Sequence, residues 1–244
     1  MTAVPLLEAK GLSRRFGGIL AVNDLDLAMS SGEIVGLIGP NGAGKTTAFH
    51  LISGFHTPSA GTIRFKGESV VGLKPHAICR RGLARTFQIV QPFAGLSVLD
   101  NVTIGALHHA ASLTAARARA AEVVDFVGLG PKRAVPALSL TLPDRKRLEL
   151  ARGLATGPEL LLLDEVMSGL NPTEVEETIG LVQRIHAGGV SLLIIEHVMQ
   201  AIMALSHRLV VLHHGEKIAD GSPATVSRDR RVIEAYLGES GERS

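Results

Sequence analysis

A chain of 244 residues, 45% of them hydrophobic, can bury a substantial core and fits one compact unit or a core with a smaller lobe. Lys and Arg (25) nearly balance Asp and Glu (23), and only 3% of residues are aromatic, which excludes the basic stripe and stacking platform of a nucleic-acid-binding surface. The single Cys79 excludes an internal disulfide or a cysteine-based structural metal site, and reads as a small hydrophobe.

Apolar runs such as Leu160–Leu163 and Leu192–Ile195 are strand-sized, far short of the ~20 residues of a membrane-spanning helix. The N-terminal stretch lacks the basic start and long apolar segment of a signal peptide. A cytosolic protein is expected, with any membrane role passing through a partner.

In chain order, Leu25, Leu27 and Met29 alternate with polar or small residues and predict a strand. Glu33–Ile38 is a short apolar strand that runs into a glycine-rich loop. Beyond the loop, Ala48, Leu51, Ile52 and Phe55 recur at i, i+3, i+4 and i+7, one apolar face of a helix stopped near Gly54. Thr62–Phe65 predicts a strand entering a turn at Lys66-Gly67-Glu68. After about residue 88 the composition turns helical: Ser97–Leu107 with Ser97 as N-cap, the Ala- and Arg-rich Ala111–Val127 ending at Gly128, and Leu148–Ala155. From Leu160 onward, buried apolar strands (LLLL, SLLII, RLVVL) alternate with helical segments, the pattern of a mainly parallel sheet. The sum is an α/β core interrupted by a helical insertion, with an antiparallel β portion from the N-terminal region.

Gly39-Pro40-Asn41-Gly42-Ala43-Gly44-Lys45-Thr46 fits G-x(4)-G-K-[ST] at every fixed position. In such a loop, glycines let backbone N–H groups approach phosphates and the following helix N-terminus adds a positive dipole. Lys45 supplies a charge for the β- and γ-phosphates, Thr46 a hydroxyl for Mg²⁺, and the adjoining Thr47 completes the candidate ATP-binding stretch. The alternative, a chance glycine-rich turn, does not explain why a strand precedes the loop and an amphipathic helix follows it. Leu160–Leu163 then ends in Asp164 and Glu165: Asp164 is the candidate Mg²⁺ holder and Glu165 the group that polarises attacking water. Without the phosphate loop, a solvated acidic loop would explain that pair equally well.

The order of phosphate loop, Gln88 in RTFQ, helical stretch, LLLLDE, Ser168-Gly169-Leu170-Asn171 and His197 in LLIIEH resembles the ABC transporter ATPases over nearly the whole chain. That resemblance implies an α/β P-loop NTPase (RecA-like) core of residues 1–87 and 156–244, with an antiparallel β portion and an inserted helical subdomain of residues 88–155. It implies that Gln88 senses γ-phosphate and Mg²⁺, that Ser168–Asn171 crosses a dimer interface, that His197 contacts the γ-phosphate and that Phe16 stacks on adenine. Taken singly, Gln88 reads as a surface residue, His197 as a satisfied polar group and Phe16 as core.

RTFQ, DEVMSGLNPTE and the ending VIEAYLG resemble a subgroup, the ATPases of importers for branched-chain and other hydrophobic amino acids. The resemblance implies ATP hydrolysis with Mg²⁺ at the cytoplasmic face of the inner (plasma) membrane, peripheral through transmembrane permease subunits. It implies a second ATPase subunit, a periplasmic substrate-binding protein as indirect partner, and no nucleic acid. Val90, Phe93 and Leu96, beside Gln88, are expected either to dock a membrane subunit or to belong to the helical lobe's own core.

The sequence departs from the family where a signature close to LSGGQ is expected. Anchoring on RLELAR sets Leu140-Thr141-Leu142-Pro143-Asp144 there, and both glycines are lost. Pro143 has no N–H to give, and Asp144 adds a carboxylate near the arriving γ-phosphate or at a helix N-terminus. In this family each ATP lies between one subunit's phosphate loop and the other's signature, so the departure favours a heterodimer over a homodimer. Val166 and Asn171 are smaller departures. The rival readings are an ABC ATPase acting on DNA or ribosomes, which the balanced charge disfavours, and a non-hydrolysing regulatory subunit, which Glu165 disfavours.

Overall fold

The computed structural model describes residues 4–88 and 91–238. Two sheets and two hydrophobic cores make up the architecture.

The N-terminal sheet is antiparallel. β1 (Leu7–Phe16) and β2 (Ile19–Met29) form a hairpin that sets Phe16 opposite Ile19, and the alternation seen in the sequence buries Leu25, Leu27 and Met29. β4 (Ala60–Phe65) pairs with the other edge of β1, and β5 (Glu68–Ser69) closes the order β2-β1-β4-β5. Lys66 (φ 53°) and Gly67 (φ 80°) turn the β4–β5 hairpin with both residues in the left-handed region, as a two-residue hairpin loop requires.

The second sheet is six-stranded, in the order β10-β9-β3-β8-β7-β6. β3 (Ile34–Ile38), β6 (Leu83–Arg85), β7 (Leu160–Asp164), β8 (Ser191–Ile195) and β9 (Arg208–His213) run parallel; β10 (Glu216–Gly221) is an antiparallel edge. The central strands carry apolar residues on both faces because both faces are covered. Leu160, Leu162, Leu193 and Ile195 face a core shared with the antiparallel sheet and α1 (Lys45–Ile52). Leu161, Leu163, Leu192 and Ile194 face the opposite core, shared with α3 (Val98–Ala106), α4 (Leu113–Phe126), α5 (Leu142–Ala155), α6 (Pro172–Ala187) and α7 (Met199–Leu205). α2 (Pro75–Cys79) leads into β6, and α8 (Pro223–Val226) and α9 (Arg230–Gly238) follow β10. No helix among the described residues is long and apolar enough to cross a membrane.

Among the described residues of 88–155 lie three α-helices, α3, α4 and α5, and two short 3-10 turns. Ser97 caps α3 by accepting from the Asp100 N–H at 3.1 Å, and Ser112 caps α4. α5 begins six residues earlier than the expected Leu148: Pro143 sits in its first turn, where a missing N–H costs no helical bond. α1 stops at Ile52, so Phe55 lies beyond the helix, 45% exposed, and is not part of its buried face. Ser53 caps the end, its hydroxyl donating back to the Phe49 carbonyl.

Candidate nucleotide site

The loop between β3 and α1 is shaped by three differently constrained glycines. A Cβ on Gly39 would lie 2.0 Å from the Leu212 carbonyl oxygen, and one on Gly44 2.3 Å from that of Ala21, so both are required by close backbone packing. Gly42 is left-handed (φ 75°), and a Cβ added there would meet nothing within 4 Å, so its backbone faces open space. Pro40 and Ala43 are buried, while Asn41, Gly42 and Thr46 are exposed and Thr47 is half-buried. The Lys45 ammonium lies buried along the loop, donating to the Gly39 and Pro40 carbonyls at 2.6 and 2.7 Å. A strand, a loop with an open backbone concavity, a loop-bound lysine and a helix N-terminus form a ready anion cradle.

Facing it, the end of β7 presents Asp164. Its Oδ2 accepts from Arg85 Nη2 at 2.6 Å, its N–H donates to Thr86 Oγ1, and its buried Oδ1 has no partner among the described residues. Burial pushes the Asp164 carboxyl above its ordinary range, against the pull of Arg85. Asp164, Thr46, His50, Arg85 and Gln88 line one cavity of about 450 Å³. One unengaged carboxylate oxygen and one hydroxyl on the same wall are hard oxygen donors, and these residues fit Mg²⁺. His50, which sequence patterning did not single out, is pushed down to about 4 by burial, then by Arg85 and His56, and stays neutral near pH 7.

Glu165 follows in left-handed backbone (φ 49°), a strained conformation for a side chain of its size. Its Oε2 accepts from Gln88 Nε2 at 2.7 Å, and its Oε1 lies 2.7 Å from His197 Nε2. Gln88, Glu165 and His197, far apart in sequence, therefore converge. Behind them stand groups the sequence did not reveal. Glu196, 3% exposed, accepts from the Met167 and His197 N–H groups at 2.7 and 3.3 Å. Glu149, 4% exposed, accepts from the Phe87 N–H at 3.1 Å and from Arg152. Burial raises both carboxyls.

Phe16 stands at the turn end of the β1–β2 hairpin, 38% exposed, edge-on to His56 at 5.2 Å with the Arg14 guanidinium 4.6 Å from its ring centre. Phe93 is also exposed, and Leu96 half-buried; Val90 lies outside the described residues. In the altered signature, Thr141 precedes α5 and its hydroxyl donates to Asp144 Oδ2 at 2.9 Å. Lys132 pairs with the same oxygen, and Asp144 is 7% exposed. Asn171 caps α6 in a reciprocal capping box with Glu174.

The strand-loop-helix cradle opposite a strand-end carboxylate, on a mainly parallel sheet, defines a P-loop NTPase. The "ABC transporter" family matches residues 22–168, and residues 216–242 match a family described as "Branched-chain amino acid ATP-binding cassette transporter". The chain belongs to the ABC transporter ATPases. It is 38% identical to the high-affinity branched-chain amino acid transport ATP-binding protein BraF of Pseudomonas aeruginosa, over 97% of this chain and 99% of that protein. It is 39% identical to LivG of Escherichia coli strain K12, of the same description and with the same coverage. Among solved structures, the ADP conformation of MJ1267, an ATP-binding cassette of an ABC transporter, superposes with a TM-score of 0.87 at 26% identity, covering 97% of this chain and 100% of that one.

Proposed function

We propose that this chain hydrolyses ATP with Mg²⁺ at the cytoplasmic face of the inner membrane, to drive import of branched-chain or other hydrophobic amino acids through permease subunits fed by a periplasmic binding protein. The observation that carries the hydrolytic reading is the convergence of Gln88 and His197 on the Glu165 carboxylate, beside the wall that holds Asp164 and Thr46. The similarity to BraF and LivG supports the substrate class.

In this reading the Gly39–Thr47 backbone and Lys45 hold the phosphates, and the partly exposed Phe16 ring stacks on adenine. Thr46 and Asp164, with Gln88 nearby, would hold Mg²⁺, which would supply positive charge against that developing on the transferred phosphoryl group. Glu165 aligns and polarises the attacking water, His197 orients Glu165 and meets the γ-phosphate, and Gln88 reports on both. Positioning and electrostatics supply the rate.

Residues 88–155 act as a helical subdomain against the core of 1–87 and 156–244. Phe93, with Phe55, Phe87 and Ile104, walls a groove of about 280 Å³ that suits a permease segment. A second ATPase subunit with an intact signature is favoured over a second copy of this chain, because Pro143 withholds a backbone donor from this chain's own signature.

Two variants in the assembled transporter test the proposal. Lys45→Ala weakens nucleotide binding, whereas Glu165→Gln binds ATP and loses about 100-fold or more in turnover. Near-wild-type turnover of Glu165→Gln sinks the hydrolytic assignment. For the heterodimer, each subunit's glutamate is replaced in turn: loss of Glu165 nearly abolishes turnover and loss of the partner's glutamate costs less, while equal losses argue for symmetric sites.

A further inference from the structure

Beyond Asp144, α5 turns three charged residues toward Gln88 and Glu165: Lys146, Glu149 and Arg152. Besides Glu149 on the Phe87 N–H, Arg152 Nη1 donates to the Gln91 carbonyl at 3.1 Å, so the helix grips the chain on either side of Gln88. Lys146 lies one turn nearer the signature and is only 6% exposed. Its Nζ donates to the Glu165 carbonyl at 2.9 Å and reaches the Gln88 carbonyl at 3.4 Å. A buried ammonium is tolerated only where acceptors and counter-charges surround it, and Glu196, Glu165, Asp164 and Glu149 supply that field.

The Glu165 backbone needs such a hold. Its left-handed φ is an unfavourable state for a glutamate, and persists only if neighbours over-determine it. The Glu165 N–H is fixed by the Ile195 carbonyl at 2.9 Å, and its carbonyl by Lys146 and by the Ser168 N–H at 3.2 Å. Lys146 is two residues beyond Asp144, in the next turn of the signature helix. One side chain thus ties that helix to the carbonyls of both Glu165 and Gln88.

We infer that Lys146 is a positioning residue for ATP hydrolysis: it holds the Glu165 and Gln88 backbones in register and transmits displacement of the signature end of α5 to the Glu165 carboxylate. This rests on the reading of Glu165 as the group that aligns water.

The test compares Lys146→Met, Lys146→Arg and Glu165→Gln in the assembled transporter. Lys146→Met lowers kcat about 100-fold, because a small misplacement of a catalytic group has that scale, and leaves KM for ATP within about twofold. Lys146→Arg, which keeps a donor and a charge, recovers most of kcat. Lys146→Met combined with Glu165→Gln turns over no more slowly than Glu165→Gln alone, since both act on one step. Near-wild-type kcat in Lys146→Met beside an inactive Glu165→Gln overturns the inference and leaves the Glu165 assignment standing. Activity in Glu165→Gln overturns that assignment instead. If Lys146→Met does not fold, Lys146→Gln takes its place; failure of both, or equal changes in kcat and KM, makes Lys146 a fold residue and overturns the inference.

Discussion

Arg85 and Asp164 form the most enclosed ion pair among the described residues, their side chains 5% and 2% exposed. Arg85→Met keeps the chain's length and its apolar packing among Phe49, Phe55 and Phe87, whose ring centres lie 5.5–5.8 Å from the guanidinium, but leaves Asp164 buried without its hydrogen-bonded counter-charge. Breaking a buried pair from one side costs about 3–5 kcal/mol, against about 0–1 kcal/mol for an exposed pair. In a chain of this size that is a fall of about 6–20 °C in Tm. The sign of the pH dependence follows from Asp164. Burial already raises its folded-state pKa, so the native state is favoured while the group is protonated and is penalised as pH rises through that pKa. Removing Arg85 raises the pKa further, and the gap between wild type and variant widens from acid to alkaline pH. Thermal unfolding without nucleotide or metal, followed over a pH series from acid to alkaline, reads both effects. Arg85→Met/Asp164→Leu, with neither charge of the pair left to bury, regains most of the loss. A deficit below about 1 kcal/mol, or one that shrinks from acid to alkaline pH, refutes the reasoning.

Phe93→Asp should abolish transport while the isolated ATPase keeps its unfolding temperature, because the ring is exposed; unfolding of the isolated subunit would instead make Phe93 a packing residue. Gly42→Ala should cost about 1–2 kcal/mol of stability for its left-handed backbone, with a larger loss of ATP affinity in equilibrium binding. Gly39→Ala adds about 1–3 kcal/mol of overpacking against the Leu212 carbonyl, so its unfolding temperature should fall further.

What the sequence made legible was what period and spacing encode. Pure apolar runs marked β3, β7 and β8 as strands covered on both faces, and alternation marked β2 as covered on one. The phosphate loop and the carboxylates after β7 were legible because their chemistry demands fixed neighbours. Burial of single charges leaves no such trace. Arg85 sits three residues before Gln88, Glu196 immediately before His197, and Lys146 and Glu149 in a run, DRKRLELAR, whose charges outnumber its apolar residues. Only the fold shows that these charges point inward. The same run hid the start of α5, since six residues without an apolar stripe look like loop until Pro143 is seen in a first turn.

α5 also changes the energetics of the signature. Asp144 does not aim a free carboxylate at an arriving phosphate: Lys132 and Thr141 hold one oxygen, and the residue is largely buried in the first turn of the helix. The electrostatic handicap expected from the sequence is therefore offset within the chain, and the remaining defect is the backbone donor that Pro143 lacks. A hydrogen bond to a charged group is worth about 1.5–3 kcal/mol, or about 10- to 150-fold in a rate or equilibrium constant. In the proposed heterodimer that defect would fall on the site built from the partner's phosphate loop, while Lys45, Glu165 and His197 of this chain would face the partner's signature. Replacing the partner's glutamate should accordingly cost turnover about tenfold less, or smaller still, than Glu165→Gln. Lys132→Ala should widen that asymmetry by freeing the Asp144 charge toward the partner's nucleotide; an unchanged ratio would mean that the Asp144 carboxylate does not face that site.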